Sequence, residues 1–294
     1  MKNKLVCIIP YFGNWPTWFD AYLYTASNQA ELVEFLFYTD CPIPTNSYAN
    51  IRFNAISYND YCEYVSKKLS CNFRPKTAYK LCDLKPFYGF IHREDIDQYK
   101  YWGFGDIDLI YGDLVKYIRP IMDNDVDICS THCDRVSGHF CMLRNTEKMR
   151  SLAFKIPKYK EILESEMHYG LDEGGFSQVI FGPIFRFLLK LYRRVFFYSG
   201  FEKFSTLLQH LIFSYKLCFR DIKTTPWGNQ IINDVYQYDD NKIINEDTKY
   251  EIPYLHFLFY KKNKFTKEYV WDENTNFHIN LNKPFLITKD GFIQ

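Results

Sequence analysis

Residues 5–10 (LVCIIP) constrain the fold of this 294-residue chain more than any other feature. A strand with one wet face alternates polar and apolar residues. This run has no polar side chain, so it reads as a strand covered on both faces, as in a parallel sheet. Pro10 and Gly13 close it. Residues 18–32 have helical spacing, and residues 34–39 (EFLFYT) read as a second strand closed by Asp40 and Pro42. Strand, helix and strand within forty residues make a βαβ beginning, which sets the class as α/β.

Further along, residues 51–56, 101–104, 127–129 and 139–144 read as strands. Residues 60–69, 77–90, 114–122, 146–154 and 159–167 read as helices, and another begins in 172–182. The segment 183–223 differs in kind. Its apolar residues at 184, 185, 188, 189, 191, 192, 195 and 196 have helical spacing, with Pro183 in the first turn. Gly200 breaks that helix, and a second run follows at 201, 204, 207, 208, 211, 212 and 215. The segment holds eight Lys/Arg against two acids, a net +6 in a chain of net +1, which leaves −5 elsewhere. Two amphipathic helices with basic faces are expected, either lying on anionic lipid or packing on protein. After 223 the chain is polar and strand-like, with a last apolar landmark at 252–260 (IPYLHFLFY). The expected organisation is a core over 1–182, a helical insertion over 183–223 and completion of the core by 224–294.

Near-neutral charge gives no electrostatic footprint for nucleic acid. The nine cysteines are odd in number and several, such as Cys7 and Cys82, sit in apolar runs. With a first apolar run too short for a signal peptide, they point to reduced thiols in a cytoplasmic chain.

The chemistry concentrates in residues 102–108 (WGFGDID). A strand ends there in Asp106 and Asp108, and open α/β sheets bind ligands at the carboxyl ends of their strands. A hard divalent cation held by two carboxylates would bridge diphosphate oxygens. Two other Asp-x-Asp pairs, Asp95/Asp97 and Asp125/Asp127, lie in charged loop contexts and read as solvated. Cys129, His132, Cys133 and Cys141 fit no strong zinc spacing.

At these residues the chain resembles bacterial glycosyltransferases of the GT-A fold, of the kind encoded in capsular polysaccharide and O-antigen gene clusters. The resemblance implies a Rossmann-like mixed sheet flanked by helices, a nucleotide-sugar donor (a UDP-sugar), a hexose transferred to a surface-glycan acceptor carried on a lipid, and Mn2+ or Mg2+. It implies donor contacts from Pro10, Tyr11 and Phe12 after the first strand and from Asp40 after the second. Lys76, Lys80 and Asp83 in RPKTAYKLCDLKP would flank the donor, with Lys76, Lys80 or Lys261 neutralising phosphate. Gly138 and His139 would face the sugar, and Asp106 would sit at the DxD position. His256 would be the third metal ligand, completing Asp106 and Asp108. Asp172 or Glu173, ahead of a glycine pair, would contact the acceptor or act as base. Such an enzyme would work in the cytoplasm, at the inner face of the plasma membrane. The rival classes are a nucleotidyltransferase, which wants a glycine-rich basic loop where this chain has PYFGNWP, and a non-catalytic membrane-associated carbohydrate-binding protein.

Overall fold

The computed structural model describes residues 2–196, 200–212, 216–262 and 269–294. Tyr215 of the second helical run, and the side chains of Arg193, Phe196, Leu211 and Ile212, lie outside the described residues. The strands in chain order are β1 (Lys2–Pro10), β2 (Val33–Thr39), β3 (Ile51–Ala55), β4 (Tyr99–Gly105), β5 (Leu109–Tyr111), β6 (Ile128–Ser130) and β7 (Phe140–Arg144). They continue with β8 (Leu217–Phe219), β9 (Tyr236–Asp239), β10 (Lys242–Asn245), β11 (Glu251–Ile252), β12 (Tyr254–His256), β13 (Phe285–Thr288) and β14 (Gly291–Ile293).

The main sheet is mixed, seven-stranded and ordered β3-β2-β1-β4-β7-β6-β8, with helices on both faces. β7 runs antiparallel to its neighbours β4 and β6, and the other pairs are parallel. The apolar run at β1 has its cause here. Val6 and Ile8 pack in one layer with Tyr61, Val65, Leu84 and Trp102. Leu5, Cys7 and Ile9 pack in the opposite layer with Phe19, Tyr22 and Ile118.

Chain order reverses on either side of β1 and β4. β2 and β3 extend the sheet one way, and β4 opens the other. A crevice at the carboxyl ends of the strands is expected at such a switch point. It lies where Tyr11 follows β1 and Asp106 follows β4.

Several elements depart from the sequence expectation. The helix expected over 77–90 is a 3-10 stretch, Ala78–Phe87, followed by one α-turn, Tyr88–Ile91. Pro86 lies inside this stretch, and in an α ladder its ring would meet the Cys82 carbonyl, which disfavours α winding here. The helix Phe176–Phe196 is interrupted at Gly182 (φ 64°, ψ 174°), and Pro183 starts its second half. Helix Phe201–Ile212 follows Gly200, whose φ is +68°. Leu217–Phe219, inside the segment read as helical, is instead β8 on the edge of the main sheet. The C-terminal part forms a second, antiparallel sheet ordered β11-β10-β9-β13-β14, with its own core of Ile243, Ile252, Trp271, Phe285 and Phe292. β12 leaves that sheet and pairs with β5.

Gly103 sets the closeness of β4 and β7. A Cβ there would stand 2.5 Å from the Cys141 carbonyl oxygen, which is backbone and cannot swing away. Gly103→Ala should therefore cost roughly 1–3 kcal/mol. The check is the urea midpoint at unchanged slope; an unshifted midpoint would mean that the two strands part freely.

Candidate metal centre and substrate pocket

Asp106 and Asp108 follow β4, and Asp108 immediately precedes β5. The β5–β12 ladder sets His256 opposite Leu109, and Phe257 N–H donates to the Asp108 carbonyl at 3.2 Å. Backbone pairing thus delivers His256 beside the two aspartates. One ligand atom from each of Asp106, Asp108 and His256 can be chosen so that all three lie within 4.8 Å of one another. It is the one such cluster of His, Cys, Asp and Glu among the described residues.

His256 Nδ1 lies 3.0 Å from Thr225 Oγ1. Its Nε2 is buried and has no hydrogen-bond partner among the described residues, with Asp108 Oδ2 3.5 Å away. With Nδ1–H given to Thr225, Nε2 turns its lone pair toward the aspartates, the usual arrangement of a metal-binding histidine. Burial opposes charge on Asp108, but the Lys261 ammonium outweighs it and holds the carboxyl well below the usual carboxylate range. Lys261 Nζ stands 2.9 Å from Asp108 Oδ2. Two carboxylates and an imidazole, with the deepest carboxylate kept ionised, suit manganese or magnesium. The residues present fit the ion.

His139 forms the floor. Its ring stacks on His256 at 4.3 Å and is held by Ser137 Oγ at 2.9 Å and Tyr254 O–H at 3.0 Å. Burial, then the neighbouring His256, push its pKa well below the usual 6.5, so it is neutral.

Opposite the histidines stands Lys85. Its ammonium is 2.6 Å from Asp106 Oδ1, 2.9 Å from the Gly138 carbonyl and 3.6 Å from Asp172 Oδ2. Burial would lower its pKa, but Asp106 and Asp172 raise it well above the ordinary lysine value. Burial pushes the Asp172 carboxyl up to about 6; Lys85 works against the rise, and Glu173 and Asp106 add to it. The site gathers three carboxyls (Asp106, Asp108, Asp172) with the exposed Glu173 at its edge, against the ammoniums of Lys85 and Lys261, so a further cation would be balanced.

These groups open into a cavity of about 1220 Å³. Of the residues proposed from sequence, its wall holds Asp106, Gly138, His139, Asp172, Glu173 and His256. Gly138 is necessary to the fit: a Cβ would meet Asp172 Oδ2 at 2.7 Å and Glu173 Oε1 at 3.1 Å. Asp108 and Lys261 stand behind that wall.

Other expected donor residues lie elsewhere. Lys80 is 1% exposed and gives its protons to Asp83 at 3.0 Å, the Ile162 carbonyl at 2.7 Å and the Met167 carbonyl. No proton is left for a phosphate. Asp83 is fully buried and accepts the N–H groups of Tyr169 and Leu171, which ties down the loop leading to Asp172. Lys76 is exposed and outside the cavity wall. Phe12 is core, against Tyr58 and Tyr61. Pro10 closes β1; Tyr11 stacks on Trp15, and Asp40 accepts the Gly13 N–H at 2.8 Å. The loop after β1 is thus closed by aromatics and a carboxylate, with no basic residue. Asp125 and Asp127 pair with surface cations, Asp97 pairs with Arg93, and Asp95 accepts Tyr38 O–H. Cys133 Sγ donates to Asp221, and Cys129 faces Cys218 across β6 and β8.

Sequence reasoning missed Lys85: residues 74–86 hold three lysines, and no local pattern separates the one that faces the cavity from the one that pairs with Asp83. The cavity wall also holds Tyr79 from RPKTAYKLCDLKP, Arg186 and Lys190 from the basic helix, and Arg135, which carried no motif.

Lys80→Met should destabilise the protein by about 3–5 kcal/mol, because Asp83 stays buried without its cation. Urea unfolding reads the loss. A variant of normal stability with weakened nucleotide affinity would return Lys80 to the donor site.

The comparisons follow the geometry. No curated protein matches the chain. A galactosyltransferase, LgtC, solved with donor and acceptor sugar analogs, is similar in structure over 57% of this chain and 71% of its own, at 17% identity and a TM-score of 0.33. An active-site mutant of LgtC is similar over the same shares, at 14% identity and a TM-score of 0.31. Residues 7–293 match a family of unknown function, DUF6625, and the chain belongs to that family.

Proposed function

We propose that the protein is a divalent-metal-dependent glycosyltransferase of the GT-A type, which moves a hexose from a UDP-sugar to a surface glycan borne on a lipid, as in capsule or O-antigen assembly. The observation that carries this is the convergence of Asp106, Asp108 and a hydrogen-bond-orphaned His256 Nε2 at the sheet's switch point, beside a cavity large enough for donor and acceptor together. Manganese or magnesium, held by these three residues, would supply positive charge to the departing diphosphate.

The chain's own residues do the rest. Lys85, always charged, fixes Asp106 and Asp172 on either side of one ammonium and adds a cation to the donor side. Lys261, behind the cavity wall, pairs with Asp108 and keeps that carboxylate ionised for the metal. Gly138, having no Cβ, lets the Asp172 and Glu173 carboxylates close against the backbone beside His139, at the edge of the cavity where a sugar would lie. Asp172 is the base: once ionised, it can accept the proton of the acceptor hydroxyl. A base set apart from the metal ligands favours inversion at the anomeric carbon. A nucleotidyltransferase finds no support in the PYFGNWP loop.

A thermal-shift panel of nucleoside diphosphates and nucleotide sugars, with and without manganese, tests the assignment. One nucleotide at a hundredfold excess over Kd should stabilise the protein by about 2.7 kcal/mol, only with the ion present. Stabilisation without manganese, and no turnover of any donor, would favour a carbohydrate-binding protein instead.

Two activity predictions accompany it. Because Asp172 must be ionised and its pKa is raised to about 6, kcat/KM should fall as pH drops below about 6 and plateau above. Asp172→Asn should lower kcat by about 10²–10⁴-fold; a wild-type rate there, with loss in Glu173→Gln, would move the base to Glu173. Gly138→Ala should keep the fold and lose activity, since the atoms it displaces are side-chain carboxylates; full activity would show that the two carboxylates need not hold their places.

A further inference from the structure

The helix half beyond Gly182 sorts its residues into three arcs at about 100° per residue. Phe185, Leu188, Leu189 and Tyr192 face the protein and are buried or half-buried. Arg186, Lys190 and Arg194 occupy a second, exposed arc. Ile184, Phe187, Leu191 and Val195 occupy the third, and they are 69%, 65%, 47% and 56% exposed. Leu207, on the next helix, is 55% exposed. A contiguous exposed apolar stripe of this kind marks a contact surface.

Three observations say what covers it. No described helix is long and apolar enough to cross a membrane, and a helix with an apolar arc flanked by a basic arc suits the plane of a bilayer interface. The segment 183–223 carries +6 against −5 elsewhere. Anionic headgroups complement that charge, whereas a second copy of the same face would set Arg186, Lys190 and Arg194 against another basic arc. Finally, the surface is continuous with the site: Arg186, Phe187 and Lys190 line the cavity that holds Asp106 and Asp172, as do the exposed rings of Tyr79 and Tyr169. Tyrosine suits such a wet–apolar boundary.

We propose that this face docks on an anionic lipid bilayer. Ile184, Phe187, Leu191 and Val195 sit at the acyl boundary, and Arg186, Lys190 and Arg194 lie among the headgroups. The cavity mouth then opens at the membrane surface. Resting on the glycosyltransferase assignment, this deepens it: the acceptor enters from the bilayer as a glycan on an anionic lipid, and for a cytoplasmic chain that surface is the inner face of the plasma membrane.

The test is co-sedimentation of the full chain with phosphatidylcholine vesicles, with and without phosphatidylglycerol. The variants are Ile184→Ser/Leu191→Ser/Val195→Ser and, as a control at another exposed apolar residue, Trp227→Ser. Wild type and the control should bind only the anionic vesicles and leave them at high salt. The triple variant should bind at least about tenfold more weakly. The manganese-dependent nucleotide shift, measured without lipid, should be the same in the triple variant and wild type, which separates failure here from failure of the donor-site assignment. Equal vesicle binding by the triple variant, or none by wild type, would overturn the proposal. So would a wild-type dimer that the triple variant dissolves in sedimentation velocity while neither binds vesicles, which would make the face a contact between copies.

Discussion

Three residue pairs between β5 and β12 join the C-terminal part of the chain to the switch point of the main sheet. Tyr254 meets Tyr111, Leu255 meets Ile110, and His256 meets Leu109. A slip of one residue would turn His256 to the opposite face of this short pair. It would also part the Tyr254 hydroxyl from His139 and Thr131, and Thr225 from the His256 ring. The centre thus inherits its geometry from backbone pairing, with buried side-chain hydrogen bonds holding the imidazoles behind it.

Charge explains why the centre persists without collapsing. Buried carboxylates are tolerated only where cations or hydrogen bonds answer them. Lys261 answers Asp108, while Lys85 answers Asp106 and Asp172 together. Lys80 and Asp83 form a separate buried pair that fastens the loop after Glu166. Two neighbouring lysines in one stretch of sequence therefore have different work: one holds the frame, the other faces the cavity.

Much of this was legible in the sequence, for identifiable reasons. A continuous apolar run has few homes, so β1 and the α/β class followed from residues 5–10. Asp106 and Asp108 stood out because a strand of aromatics and glycines ends in them. His256 was visible through resemblance and an apolar run, whereas its pairing with β5 is a long-range fact that local pattern cannot carry. The strands of the second sheet were hidden because each has two to four residues, too few for a period of two to declare itself. β8 was hidden by the helical run before it. Lys85 was hidden among the three lysines of residues 74–86, because its partners Asp106 and Asp172 are brought to it only by long-range packing. Of the stripe at 184, 187, 191 and 195, the sequence spacing held 184, 191 and 195 but not Phe187, and only the structure separates these from 185, 188, 189 and 192, which are buried or half-buried.

The central claim is that Asp106, Asp108 and His256 form a divalent-metal site. Its most direct measurement is a manganese titration followed by the electron paramagnetic resonance of the free ion. The account predicts one manganese bound per chain, with affinity lost in Asp108→Asn and sharply weakened in His256→Ala while both variants remain folded. Absence of bound manganese in the wild type, or unchanged binding in Asp108→Asn, would contradict it.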